Sequence, residues 1–223
     1  MKKVTFTLSL ALIGLFVCSN FSTNAGNPTI AERFADTTTE RAQNGDATGT
    51  YNFDKAHSSI GFRVKHFGLV DVPGYFRDFT GTIVYDAKDM KKSSVVFSAK
   101  TTSVDTGVDA RDNHLRTADF FEVEKFPDMT FKSTKVEKKG KDWLVTGDFM
   151  MKGVTKQISF PFTVVGFKKD AKGAVKMGVT AETSINRRDF GVNYGGNMPD
   201  GTPMLSDNIA VVLQLECAMQ KAQ

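Results

Sequence analysis

The sequence predicts an all-β protein, an antiparallel barrel of eight or nine strands with one short inserted helix. From Tyr51 onward, apolar side chains recur at every second residue, which is the period of a half-buried strand. Turn-forming sequences separate most of these stretches, and a sheet closed on itself buries one apolar face while removing exposed edges. The 223 residues are 40% hydrophobic and 24% charged, as in ordinary globular proteins, and this composition argues against a largely disordered chain.

Two segments precede this pattern. Residues 1–25 have a cationic start, an uncharged apolar run over residues 4–17 and small residues before a cleavage site after Ala25. They predict a signal peptide and an exported protein. Cys18, at the end of the apolar run, supports an alternative, a membrane-anchored lipoprotein acylated on that cysteine. Residues 26–49 are polar and aperiodic, and we expect a flexible tether there.

Residues 50–218 form the predicted barrel domain, and residues 219–223 form a polar tail. Weaker alternation covers 74–85, 128–135, 143–151 and 175–183. The clearest strands have inward faces formed by Ile60, Phe62, Val64 and His66, by Val95, Phe97 and Ala99, by Ile158, Phe160, Phe162 and Val164, and by Ile209, Val211, Leu213, Leu215 and Cys217.

The inserted helix is predicted between Val108 and Ala118, where apolar residues are spaced for one side of a helix. Pro127 marks the return to extended chain, because the residue before a proline disfavours helical geometry. A short helix inserted in an antiparallel barrel commonly covers one of its ends, and we expect that placement here.

The interior of the barrel has two interpretations. Its predicted inward faces are apolar along nearly their whole length, and the sequence contains 19 Phe. An eight-stranded barrel is just wide enough to be filled by side chains or to hold one small ligand. The first interpretation is a solid core of packed phenyl rings, which most Phe-rich faces form. The second is an elongated apolar cavity that takes a lipid chain.

Motifs spread over residues 50–217 resemble, in order and spacing, those of the YceI family, the polyisoprenoid-binding lipocalin-like proteins of the bacterial periplasm. One departure is Tyr51, which stands where Trp is frequent. The motifs are Tyr51-Asn52-Phe53-Asp54-Lys55-Ala56-His57-Ser58, Phe62-Arg63-Val64-Lys65-His66-Phe67-Gly68, Val72-Pro73-Gly74-Tyr75-Phe76-Arg77-Asp78-Phe79-Thr80-Gly81, Asp105-Thr106-Gly107, Arg111-Asp112-Asn113-His114-Leu115, Asp119-Phe120-Phe121, Phe126-Pro127-Asp128-Met129-Thr130-Phe131, Gly153-Val154-Thr155-Lys156 and Asn186-Arg187-Arg188-Asp189-Phe190-Gly191.

The resemblance implies a lipocalin-like barrel whose interior is open to a long-chain amphiphile, a polyisoprenoid or quinone-like lipid that is carried or sequestered in the cell envelope. It implies a periplasmic location and no enzymatic activity. We expect no cofactor beyond such a lipid and no metal. The formal net charge of only +4 gives little attraction for nucleic acid. Proximity to a membrane and a homodimer are both left open.

The expected ligand-binding residues are the side chains on the inward faces and the aromatic residues near the helix. Arg111 and His114 share one side of that helix, and the planar fork of Arg187 suits an anionic group, so these three are expected at the headgroup or mouth. The expected barrel-lining residues are Ile60, Phe62, Val64, His66, Phe76, Phe97, Phe120, Phe131, Phe149, Phe160, Phe162, Val211 and Leu213.

Two other functions stay open at this point. One is a small metal-dependent or hydrolytic enzyme that uses His57, His66 and His114. Against it, the sequence has no Gly-x-Ser-x-Gly elbow and no closely spaced His pair. The other is an interaction module with a solid core, in which the barrel only displays loops. Cys217, the one cysteine of the barrel domain, is expected to be a small buried apolar side chain.

Overall fold

The structure is a computed structural model that describes residues 47–221. Residues 1–46, with the predicted signal peptide, Cys18 and most of the tether, lie outside the described residues, as do residues 222–223. The strands are β1 (Gly49–Phe53), β2 (Ser59–His66), β3 (Val70–Phe76), β4 (Phe79–Tyr85), β5 (Ser94–Lys100), β6 (Val104–Asp105), β7 (Asp128–Lys139), β8 (Asp142–Met151), β9 (Val154–Lys169), β10 (Val175–Asn186) and β11 (Asn208–Met219).

The described residues also contain one α-helix, α1 (Asp109–Leu115), and 3-10 helices at Met90–Lys92, Thr101–Ser103 and Arg187–Phe190. The single inserted helix is therefore confirmed. It is shorter than the predicted span, with Val108 at its N-cap position. No helix within residues 47–221 has the length and apolar character needed to cross a membrane.

The strands form one closed antiparallel sheet with eight positions around the barrel. Three positions each hold two consecutive strands, β1–β2, β3–β4 and β5–β6, and β7 to β11 fill the other five. The barrel closes because β1 and β2 both pair with β11, at Phe53↔Cys217 and Ile60↔Leu213. The predicted barrel of eight or nine antiparallel strands is confirmed, since eleven segments occupy eight positions.

Side chains along these segments are alternately buried and exposed, as expected for strands of a barrel. The same alternation shows that one strand extends beyond the stretch predicted from the sequence. On β8, Val145, Gly147, Phe149 and Met151 are buried, and the residues that alternate with them are less so. β7 ends at Lys139 rather than near residue 135, because buried Val136 pairs with Val145 and continues the same face. The charged residues on the other face of β7 hide this continuation in the sequence.

The two ends of the barrel are built differently. At one end, the mouth end, the chain leaves the sheet in the turns 67–69 and 152–153 and in two long segments, 106–127 with α1 and 187–207. At the other end, the closed end, the connections include the short turns 140–141 and 170–174. This arrangement concentrates irregular chain, and the polar side chains it carries, at the mouth end.

Aromatic side chains fill the closed end. The ring centroid of Tyr85 lies 6.5 Å from that of Tyr51 and 5.1 Å from that of Phe167, and those of Tyr51 and Phe167 lie 6.1 Å apart. The Tyr51 hydroxyl donates to the Ala47 carbonyl at 2.6 Å, and burial raises the pKa of Tyr51 to about 12. These three rings form an aromatic plug beneath the barrel interior.

A cluster of charged side chains attaches residues 54–58, which connect β1 to β2, to the neighbouring strands β10 and β11. The Lys176 ammonium lies 2.7 Å from Asp54 Oδ2 and 3.2 Å from Glu216 Oε1. His57 Nδ1 lies 3.1 Å from the same Asp54 oxygen. Hydrogen bonds from Lys176 and then His57 lower the pKa of Asp54 to about 2. The cluster therefore stabilises the fold only while Asp54 is ionised.

We expect Asp54→Asn to lower the free energy of unfolding by about 1 kcal/mol near neutral pH, because solvent screens this partly exposed pair. The folded-state pKa lies below the unfolded value of about 4, so the contribution is complete above that value. It is lost as the pH falls through about 2. Urea unfolding at several pH values checks this, and a difference between the two proteins that does not shrink in acid would contradict it.

Candidate functional site

The barrel encloses an apolar cavity of about 330 Å³ toward the mouth end, here named the outer chamber. Side chains from all eight positions around the barrel line it, and so do residues of both long mouth-end segments. The chamber meets the surface near Tyr194, which is 41% exposed, and His114. It therefore has the size and the apolar lining of a small-molecule site.

A second apolar cavity of about 80 Å³, the inner chamber, lies toward the closed end, with Tyr85 of the aromatic plug in its wall. Five side chains line both chambers and are here named the dividing ring. They come from β2, β5, β7, β9 and β11, which are spread around the barrel. The dividing ring consists of Ile60, Phe97, Phe131, Phe160 and Leu213.

The structure brings the sequence-predicted lining residues together. Twelve of the thirteen line the outer chamber: Ile60, Phe62, Val64, His66, Phe76, Phe97, Phe120, Phe131, Phe149, Phe160, Val211 and Leu213. The thirteenth, Phe162, lines the inner chamber instead. The three residues predicted for the headgroup or mouth, Arg111, His114 and Arg187, also line the outer chamber. That any of these residues contacts a ligand stays a prediction.

Several lining residues were missed by sequence reasoning. Val192, Tyr194 and Leu205 line the outer chamber from the segment 187–207, which has no strand or helix period. Their one available signal was an apolar side chain in otherwise polar chain. Met129 and Met151 also line the chamber from β7 and β8, where the alternation itself pointed inward.

Arg111 places a cation at the mouth end of the outer chamber. Its Nε donates to the Thr106 hydroxyl at 2.7 Å, and its Nη2 donates to the Thr106 carbonyl at 2.9 Å. Thr106 is in turn held by buried Asp112, whose carboxylate accepts the Thr106 N–H at 2.9 Å. Among the ion pairs formed by residues 47–221, none includes Arg111. The guanidinium is thus oriented and suited to an acceptor oxygen.

His114 is oriented beside it by one carboxylate and two rings. Its Nε2 lies 2.8 Å from Asp119 Oδ2, and its ring stands edge-on to Phe120 and Tyr194, with centroids 5.1 and 4.8 Å away. The mouth end of the outer chamber therefore carries two oriented polar groups, the Arg111 guanidinium and the His114 imidazole.

Arg187 has a different environment, although it lines the same chamber. Its side chain is 4% exposed, and burial lowers its pKa. Its Nη1 donates to the carbonyls of Val192 at 2.9 Å and Tyr194 at 2.7 Å, and its Nε donates to that of Ser206 at 3.0 Å. An ion pair with Asp207 at 3.1 Å supplies the counter-charge. Arg187 therefore fixes the segment 187–207, and its predicted contact with a headgroup stays a prediction.

The histidines of the enzyme alternative do not converge on one place. His66 and His114 line the outer chamber, whereas His57 lines neither chamber and has a 64% exposed side chain. Within residues 47–221, one group has metal-ligand geometry, His57 with Asp54 and Glu216. The Lys176 ammonium already bonds both of its carboxylates, so the group is an ion-pair network.

Cys217 is fully buried, and burial raises its pKa to about 12. Its thiol therefore stays protonated at neutral pH, which makes it a poor nucleophile and a poor metal ligand. The prediction of a small buried apolar side chain is confirmed.

Comparison with known proteins establishes the family. The model of the YceI-like domain matches residues 51–217. The chain belongs to the YceI family. Protein YceI of Escherichia coli O17:K52:H18 is 36% identical over 173 residues, which are 77% of this chain and 87% of that protein. The YCEI protein of Campylobacter jejuni is 33% identical, with a TM-score of 0.60 over 75% of this chain and 96% of that structure.

A more distant likeness concerns the fold alone. A domain from Saccharophagus degradans, described as a polyisoprenoid binding domain implicated in plant cell wall breakdown, superposes with a TM-score of 0.58. It covers 78% of this YceI-family chain and 99% of its own, at 17% sequence identity. The family resemblance read from the motifs is thus confirmed, and so is the barrel fold.

Proposed function

We propose that this YceI-family protein binds the apolar tail of a polyisoprenoid or quinone-like lipid in the outer chamber, with the polar head at the mouth end. The observation that carries the proposal is the cavity of about 330 Å³, whose lining is mostly apolar and carries Thr106, Arg111 and His114 at the mouth end. The ligand named for the Saccharophagus degradans domain supports the same class.

Burial of the tail supplies the affinity. At about 0.8 kcal/mol per buried CH₂, ten methylenes contribute on the order of 8 kcal/mol before the cost of ordering the chain. Such a ligand needs no side-chain chemistry, which suits a chamber with few polar groups. We therefore assign carriage or sequestration rather than catalysis.

Exposed apolar side chains around the mouth support a membrane as the source of the lipid. Five of the nine large hydrophobic residues exposed on the described surface belong to mouth-end segments: Leu69, Val70, Val108, Tyr194 and Met198. Leu69, at the tip of the β2–β3 turn, is 78% exposed. Side chains of this kind favour contact with the boundary between lipid headgroups and acyl chains. The periplasmic location stays a prediction that rests on the sequence.

Native mass spectrometry of the full chain tests the proposal. We expect the protein purified from cells to carry a co-purifying lipid, and the delipidated protein to take up added farnesol or a short-tailed quinone. A ligand-free spectrum, together with no uptake of either probe, would contradict lipid binding.

Metal analysis of the same preparation separates this function from the enzyme alternative. A lipid-binding barrel should contain no stoichiometric metal. A stoichiometric metal that is lost in His66→Ala would favour the enzyme and overturn the assignment.

A further inference from the structure

The dividing ring separates two apolar spaces of unequal size. Phe131 packs against two other members of the ring, with its ring centroid 6.1 Å from that of Phe97 in a stacked arrangement and 5.4 Å from that of Phe160. Beyond the ring, the inner chamber ends at the aromatic plug, to which Tyr85 belongs. A tail that enters at the mouth therefore reaches the inner chamber only by passing this ring.

The members of the ring differ in how firmly they are held. Phe131 is 2% exposed, and its ring lies over Gly147, where an added Cβ would come within 2.6 Å of Phe131 Cζ. Ile60 and Phe160 are also buried, at 4% and 7% exposed. Phe97 also faces both chambers but is only partly buried. Phe97 is thus the aromatic member whose removal joins the chambers with the least loss of packing.

The volumes set the length of tail that each space takes. An apolar cavity of roughly 150 Å³ holds benzene, with its six carbon atoms. By that proportion the outer chamber, at about 330 Å³, holds on the order of a dozen carbons. The inner chamber, at about 80 Å³, adds roughly three. A tail of a dozen carbons corresponds to between two and three isoprene units.

We propose that the dividing ring limits the buried part of the tail to about a dozen carbons, whatever the full length of the bound lipid. This inference rests on the proposed function, and it adds a length limit and the residues that set it. Longer tails leave their excess carbons in water at the mouth and gain no further affinity from them.

A series of straight-chain primary alcohols from octanol to octadecanol, titrated by calorimetry into the delipidated full chain, tests the limit. We expect the affinity to rise about four-fold with each methylene, which is 0.8 kcal/mol converted at 1.36 kcal/mol per decade, up to about twelve carbons. Beyond that length the affinity should level off. In Phe97→Ala the levelling point should move to longer alcohols by at least the roughly three carbons of the inner chamber.

A second variant distinguishes an effect of the added cavity space on tail length from a general loss of packing in Phe97→Ala. Ala181 lines only the inner chamber, so Ala181→Leu fills that space and should leave the wild-type levelling point unchanged. Added to Phe97→Ala, it should return the levelling point toward the wild-type length. If Phe97→Ala fails to fold, Leu213→Ala opens the same ring.

The outcomes distinguish this inference from the function on which it rests. Affinity that continues to rise through octadecanol in the wild type, or a levelling point that Phe97→Ala and Leu213→Ala leave in place, would overturn the length limit while lipid binding stands. No binding of any alcohol, with no lipid in the native spectrum, would overturn the proposed function as well.

Discussion

Val211→Trp is expected to weaken the binding of a lipid tail roughly 4,000-fold, because the larger side chain occupies the outer chamber. Val211 lies on β11 opposite Phe62 of β2 and lines the chamber. Tryptophan adds about seven heavy atoms and so excludes on the order of six methylenes, which offer about 5 kcal/mol. The overpacking cost of about 1–3 kcal/mol should fall at its lower end, because the added atoms enter empty space.

The matched control is Val165→Trp. Val165 is 55% exposed on β9 and lines neither chamber, so this variant adds the same atoms outside the site. Titration with dodecanol, alongside urea unfolding of both variants, makes the comparison. Wild-type affinity in a folded Val211→Trp protein would show that the tail does not occupy the outer chamber.

Arg187→Met is expected to lower the free energy of unfolding by about 3–5 kcal/mol. The buried guanidinium donates to four backbone carbonyls, those of Val192, Tyr194, Leu205 and Ser206, and methionine leaves them without this donor. The segment 187–207 should lose its protection from hydrogen exchange, since these bonds attach it to the barrel.

Arg188→Met is the neighbouring control. Arg188 also pairs with Asp207, at 2.6 Å, but its side chain is 38% exposed, and we expect a cost below about 1 kcal/mol. Urea unfolding measures both variants. Equal costs at the two positions would contradict the structural role assigned to Arg187. A loss of lipid affinity in Arg187→Met without a loss of stability would favour the headgroup role instead.

The barrel and most of its lining followed from one periodicity. Alternation at every second residue decides which side chains face inward, and it placed Phe62, Phe131 and Phe160 correctly without any knowledge of their partners. The segment 187–207 escaped this reasoning, because Tyr194 and Leu205 reach the chamber from irregular chain whose course depends on tertiary contacts.

Two properties of the site depend on three-dimensional packing and cannot be predicted from the sequence pattern. The choice between a solid core and a cavity depends on how the rings fill space, and the same Phe131 packs closely against Phe97 while leaving room on both sides. The different environments of Arg187 and Arg188 depend on the 3-10 turn that buries the first and exposes the second. Adjacent arginines in a sequence give no indication of which one is buried.

The plug of Tyr51, Tyr85 and Phe167 has a kinetic consequence for the proposed carriage of a lipid. With one end packed shut, a ligand that enters tail-first departs head-first through the same aperture, so donor and acceptor cannot engage the protein simultaneously. Transfer between two vesicle populations would then follow ping-pong kinetics. The protein would take the lipid from the donor in one step and deliver it to the acceptor in a second step, returning to its empty form between them.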